Sequence, residues 1–88
     1  PPFGTKIDVC KTMEHVGSFG VKKFIEDNKP LLTLHGHIHE AFEMSSTYYD
    51  KIRNTIVINS CNNYLSNKVA IVIITITNTK IMHKRILI

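Results

Sequence analysis

Eighty-eight residues bound this chain to one small domain or a piece of a larger one. Hydrophobic residues make up 43% and charged residues 20%, ordinary globular usage that argues against intrinsic disorder. The formal net charge is +4, but Lys and Arg are scattered from Lys6 to Arg85 with no run longer than two. That scatter disfavours a nucleic-acid face and leaves room for a phosphate-bearing substrate.

Residues 1–17 mix Pro, Gly, Thr and Asp without a clean period and read as a long irregular loop, functional or disordered. Ser18 is placed to cap a helix. Val21, Phe24 and Ile25 then fall on one apolar stripe, and Pro30 pushes Lys29 out of helical geometry. This predicts a helix over 18–28. Leu31 to Leu34 reads as a short buried strand leading into His35-Gly36-His37-Ile38-His39. Residues 40–54 are polar and mixed, with a strand expected at Thr47 to Tyr49 and a turn from Asp50 to Asn54. Thr55 to Ile58 is β-branched throughout and predicts another buried strand. Asn59 to Asn67 has loop composition. Val69 to Ile76 is apolar on both faces, so a strand covered on both sides is expected. Asn78 and Thr79 mark a turn, and Ile81 to Ile88 returns as a hairpin partner.

The expected fold class is α/β: a partial layered α/β sandwich with one main helix and about four to five strands, ending in a hairpin. One helix cannot cover that many strands, and an uncovered Val69–Ile76 strand invites edge association. Another part of the protein is expected to pack there. Cys10 and Cys61 form no CxxC and no disulfide framework, so reduced thiols in the cytoplasm are expected. Pro1-Pro2-Phe3-Gly4 lacks a signal-peptide pattern. The longest apolar stretch is far short of the ~20 residues of a membrane helix, so no membrane association is expected.

The chemistry concentrates in three alternating histidines. On an extended backbone, His35, His37 and His39 project to one side, whereas on a helix neighbours two apart diverge by roughly 200°. Gly36 would break a helix and allow close backbone approach, and Ile38 would point into the core. Imidazole suits Zn, Mn, Fe or Co. Two imidazoles are not a complete site, since even zinc prefers four ligands. A bare HxH is more often the mark of ordinary polar loop residues.

The surroundings of that pair resemble a known family. Leu32-Thr33-Leu34-His35-Gly36-His37-Ile38-His39-Glu40 is similar to the last signature of the calcineurin-like metallophosphoesterases, an apolar strand followed by Gly-His-x-His. Pro1-Pro2-Phe3-Gly4-Thr5 resembles the segment after an upstream metal-ligand histidine of that family. His15-Val16-Gly17-Ser18 with its helix and Lys29-Pro30 resembles the segment before Gly-His-x-His. Thr55-Ile56-Val57-Ile58-Asn59 resembles the strand ending in Asn-Pro-Gly, where this chain has Asn59-Ser60-Cys61. The likeness runs in order over most of residues 1–62.

By resemblance, His37 would bind one divalent metal and His39 the other, with Mn, Fe, Zn or Co as candidates. The paired ions would supply a metal-activated hydroxide for in-line attack on a phosphate ester. The family's Asp-x-His, Gly-Asp and Gly-Asn-His signatures are missing, and the upstream histidine would lie just before residue 1. The resemblance therefore implies the C-terminal part of a larger domain, inactive without its N-terminal half.

Around the pair, His35, Gly36, Glu40 and Asn59 are candidates to orient ligands or face substrate. Glu40 would orient a ligand histidine or simply be exposed. Asn59 would shape the sheet near the site or serve as a turn residue. His15 is a candidate catalytic group near a substrate phosphate, or a solvated loop residue. Asp8 reads as a turn residue that could face the site, and His83 as a surface residue. Tyr48, Tyr49 and Tyr64 read as packing. Two other functions fit the composition. One is a non-catalytic metal-binding or assembly module, in which the histidines and Cys61 hold an ion between subunits of a homo-oligomer. The other is a basic adaptor for phosphate-rich partners.

Overall fold

Ser18 starts the main helix. Its hydroxyl accepts from the Val21 backbone N–H at 3.1 Å, satisfying one donor that a helix N-terminus leaves without an intrahelical partner. In the computed structural model, which describes residues 1–63 and 65–88, α1 then runs Phe19–Asn28. Lys29 ends it in the left-handed region at φ 51°, donating its N–H to the Ile25 carbonyl. Pro30 cannot continue the helix.

The rest follows as β1 Leu32–His35, α2 Ala41–Ser45, β2 Tyr49–Ile52, β3 Thr55–Asn59, β4 Ala70–Ile76 and β5 Ile81–Leu87. Among the described residues this is a mixed α/β fold: one main helix and five strands in two sheets, closing in a hairpin. None of its helices is long and apolar enough to cross a membrane.

β3 is the centre of the first sheet, parallel to β1 and antiparallel to β2. The register pairs His35 with Asn59, so the two parallel strands end side by side. The segments after them, Gly36 onward and Ser60 onward, leave from one edge. In α/β sheets, crevices at the carboxyl ends of strands are where ligands bind.

Alternation puts Thr33, His35, Val57 and Asn59 on one face. That face is covered by α1 and the first loop, through a core of Ile7, Ile25 and Val57 flanked by Val21 and Ile52. Full burial of a side chain such as Ile25 contributes about 1.5–3 kcal/mol.

The antiparallel β4–β5 hairpin forms the second sheet. Tyr48 and His83 share a hydrogen bond of 2.7 Å between the hydroxyl and Nδ1, and the Tyr49 ring meets the His83 ring edge-on at 4.5 Å. Arg85 lies over the Phe42 ring and donates to the carbonyls of Ser60 and Cys61. These contacts fasten the hairpin to the start of β2, to α2 and to the loop after β3.

Several sequence expectations are corrected. Residues 1–17 are the expected irregular loop, folded rather than disordered, with Ile7, Asp8 and Val9 buried and bridges Pro2–Ser18 and Val9–His15. Phe24 faces outward, because only Ile25 and Val21 of the expected stripe reach the core. β1 is an edge strand, and Leu34 is 66% exposed rather than buried.

The region read as polar and mixed contains α2, whose Ala41 is fully buried beside Ile38 and Cys61. The expected turn at Asp50 is strand: β2 continues to Ile52, and the chain reverses at Arg53, φ 54°. Asp50 is held there because Oδ2 accepts from the Lys6 N–H. β4 is not covered on both sides, since Ile73 and Ile76 remain exposed. His83 is partly buried among tyrosines rather than a simple surface residue. Tyr64 lies outside the described residues.

Candidate functional site

β1 stops at His35, so the histidine pair is presented by a turn rather than a strand. His37 takes φ 78°, a left-handed conformation, and the His39 N–H donates back to the His37 carbonyl at 3.1 Å. Alternation along an extended backbone therefore does not apply beyond His35. What fixes the turn is Ile38, buried against Ala41 and Cys61 with Phe42 alongside. With Ile38 pulled inward, His37 and His39 lie exposed on either side of it.

The two imidazoles border different cavities. His37 lines an open cleft of about 540 Å³ together with Pro1, Val16, Gly17, Ser18 and Gly36. His39 lines a smaller one of about 270 Å³ with Lys11, Glu40, Glu43 and Asn63. A left-handed backbone at a non-glycine residue costs about 1–3 kcal/mol and clusters at functional sites.

His39 is oriented by backbone. Its Nδ1 lies 2.7 Å from the Asn62 carbonyl oxygen. A carbonyl only accepts, so Nδ1 carries the proton and the neutral ring's lone pair falls on Nε2. This is the arrangement metal-ligating histidines use to fix their tautomer. Asn62 is itself anchored: its Oδ1 accepts from the Ala70 N–H at 2.7 Å and its Nδ2 donates to the Ala70 carbonyl at 2.8 Å. The first residue of β4 thereby sets the position of the carbonyl that holds His39.

No family model matches the chain, and no curated protein or solved structure matches it. The functional reading therefore rests on the geometry and on the sequence motifs.

Asn59 is a buried node, 1% exposed. Its Nδ2 donates to the carbonyls of Ile7 (3.2 Å) and Ile38 (3.1 Å), and its Oδ1 accepts from the Cys61 N–H (3.0 Å). One amide thus joins the first loop, the histidine turn and the loop after β3, which is more than a turn residue does. Glu40 Oε2 accepts from the Lys11 N–H at 3.3 Å, tying the same turn to the first loop.

His35 points to the face covered by the first loop. Its Nε2 lies 2.7 Å from the Thr33 hydroxyl, and burial lowers its pKa to about 4. It is a neutral, half-buried ring at physiological pH. Cys61 is buried, and burial pushes its thiol up, the behaviour of a structural cysteine rather than a reactive one.

Gly36 is not where the backbone comes close. A Cβ there would meet nothing within 4 Å, and its φ is not positive. The crowded glycine is Gly17, whose Cβ would lie 2.6 Å from the Pro1 oxygen, 2.7 Å from the Pro2 oxygen and 2.8 Å from Asp8 Oδ2.

His15 is paired with Asp8. The sequence treated these two separately, because a spacing of seven in an irregular loop carries no periodic signal. Asn62 was equally hidden within an asparagine-rich loop. Among the described residues, no three or more His, Cys, Asp or Glu side chains gather closely enough to hold an ion. His35 and Cys61 do not join His37 and His39 in such a group.

Proposed function

We propose that this chain contributes the His37–His39 segment of a dinuclear metal-dependent phosphoesterase that hydrolyses phosphate esters. The observation that carries the reading is the Nδ1–carbonyl contact of His39 with Asn62, the ring-orienting contact that metal-ligating histidines make. The order of motifs from Pro1 to Asn59 supports the same reading. So does the position of the turn at the carboxyl ends of parallel strands.

His37 and His39 would each serve one of two cations, with Mn, Fe, Zn or Co suited to imidazole. Such a pair supplies a nucleophile at neutral pH and neutralises charge developing on the phosphoryl group. The remaining ligands would come from a further part of the domain, packed where β1 and β4 leave Leu34 and Ile73 open. The chain alone would then bind metal weakly and turn nothing over. A cytoplasmic setting goes with free thiols at Cys10 and Cys61.

The test is paramagnetic broadening by Mn(II), read on histidine ring signals by NMR. His37 and His39 should broaden first, and His37→Ala or His39→Ala should each weaken the effect on the other. Broadening that favours His83, or none at either residue, would refute the assignment.

A further inference from the structure

The second face of the first sheet carries a site of a different kind. Ile52 and Val57 pack into the core beneath α1, so alternation turns Lys51 and Ile56 to the opposite face. There the two are cross-strand partners. Ile56 donates its N–H to the Leu31 carbonyl at 3.3 Å, which sets Leu31 beside it. Leu31, Ile56 and Lys51 thus form a row across the end of the sheet where β1 and β3 begin. The histidine turn lies at the other end.

The tip of the β4–β5 hairpin stands against that row. A cavity of about 430 Å³ separates them, lined by Leu31, Lys51 and Ile56 on the sheet side and by Thr77, Lys80 and Ile81 on the hairpin side. A cavity of that size is in the range that small ligands occupy. The hairpin tip is pre-formed: the Thr77 N–H donates to the Lys80 carbonyl at 2.9 Å, and the Thr77 hydroxyl accepts from the Lys80 N–H at 3.2 Å.

Charge gives the cavity its preference. Its lining holds two lysines and no Asp or Glu, with the amides of Asn54 and Asn78 as further donors. Asp50, next to Lys51, faces the other way and accepts from the Lys6 N–H. Among the described residues the side-chain ion pairs are Lys23–Asp27 and His15–Asp8, so no carboxylate there neutralises Lys51 or Lys80. Two exposed lysines by themselves are an ordinary solvated surface. These two come from different hairpins and rim an apolar floor of Leu31, Ile56 and Ile81.

We propose that this cavity binds a small amphiphilic carboxylate. The apolar body lies on Leu31, Ile56 and Ile81, and the carboxylate sits between the Lys51 and Lys80 ammonium groups, one oxygen to each. Burial of hydrocarbon supplies the affinity that an exposed ion pair lacks. The site is separate from the His37–His39 turn and does not depend on the phosphoesterase reading.

The experiment titrates sodium octanoate into the full 88-residue chain with a chelator present, following backbone amide and isoleucine methyl signals by NMR. Signals of Lys51, Ile56, Lys80 and Ile81 should shift saturably, with nuclear Overhauser contacts from the octanoate methylenes to the Ile56 and Ile81 methyls. Octanol has the chain without the charge and acetate the charge without the chain, so each should bind more weakly. Lys51→Gln and Lys80→Gln should each weaken octanoate by about two- to fivefold, the worth of an exposed ion pair. Both lysines are exposed, so neither change threatens the fold. Lys84→Gln lies on the outer face of the hairpin, opposite His83 and Arg85, and should leave the affinity unchanged.

The absence of a saturable shift would overturn the proposal, as would equal binding of octanol or an unchanged affinity in the chain carrying both glutamines. Shifts centred on Ile73 and Met82, exposed on that outer face, would overturn it too.

Discussion

Asn59 donates from Nδ2 to the carbonyl of Ile38 at 3.1 Å, reaching from the end of one parallel strand to the turn that follows its neighbour. The same amide holds the Ile7 carbonyl and the Cys61 N–H. Asn59→Ala would leave these buried groups without their partner, at about 1–3 kcal/mol for each one that finds no replacement. Asn59→Asp should be worse at neutral pH, because a carboxylate would face two carbonyl oxygens. Its deficit should shrink as acid protonates the new group, whereas the alanine deficit should not. Urea unfolding of both variants across pH checks the ordering.

The two glycines should respond in opposite ways. Gly17→Ala places a methyl within 2.8 Å of three oxygens, two of them backbone. Overpacking of that kind costs about 1–3 kcal/mol, and here it also strains the Asp8 hydrogen bonds. Gly36→Ala meets open space and should unfold at nearly the wild-type urea concentration. Equal destabilisation by both would show that the first loop is not packed as described.

How much of this was legible beforehand follows from the range of each interaction. The cap at Ser18, the stop at Pro30 and the β-branched run at Thr55 are local, and the elements formed where the residues predicted them. α2 was missed because its one buried anchor, Ala41, gains meaning only from Ile38 and Cys61, and Cys61 lies in a distant loop. The exposure of Leu34 and Ile73 could not be read from hydrophobicity, which is blind to what stands opposite a strand. The histidine pair was visible as a pattern, but its geometry was not, since the left-handed backbone at His37 replaces the extended one that alternation assumes. Asp8 with His15 and Asn62 with Ala70 are side-chain to loop contacts, and no periodicity announces them.

Acid should destabilise the fold through His35. Its folded pKa is lowered from 6.5 to about 4, chiefly by burial. Between those values the unfolded chain holds the extra proton, so stability rises with pH there. The contribution is whole above 6.5 and is progressively lost as pH falls toward 4. Because the ring is only half-buried, solvent screening reduces its worth to about 1–2 kcal/mol. His35→Gln should flatten this part of the profile, as seen by comparing urea midpoints in neutral and mildly acidic buffer. A wild-type profile matching the variant would exclude His35 as the source.

The two thiols should differ sharply in reactivity. The Thr12 hydroxyl, 3.1 Å from Cys10 Sγ, lowers the Cys10 thiol below its ordinary value. Burial raises that of Cys61. The thiolate is the nucleophile, so iodoacetamide at neutral pH should label Cys10 well before Cys61. Thr12→Val should slow the Cys10 reaction without changing Cys61. Mass spectrometry of partly labelled protein reads both sites, and faster labelling at Cys61 would contradict its packing against Ile38 and Ala41.

The tautomer of His39 should depend on a residue that does not touch its ring with a side chain. Asn62 presents its backbone oxygen to Nδ1, and its side chain exchanges two hydrogen bonds with the Ala70 backbone. Asn62→Ala removes that anchor and keeps the carbonyl, so the loop loosens while the ring remains. The ring nitrogen shifts of His39 should then move from the Nδ1–H form toward the mixture of a mobile side chain. Removing a group that orients a metal ligand commonly weakens metal affinity by about 10–100-fold, so Mn(II) broadening at His39 should fall while that at His37 changes less. An unaltered tautomer would mean that the carbonyl is held by the rest of the loop, principally by Arg85 at Ser60 and Cys61. An altered tautomer with unaltered Mn(II) response would separate the orientation of His39 from any role in binding a cation.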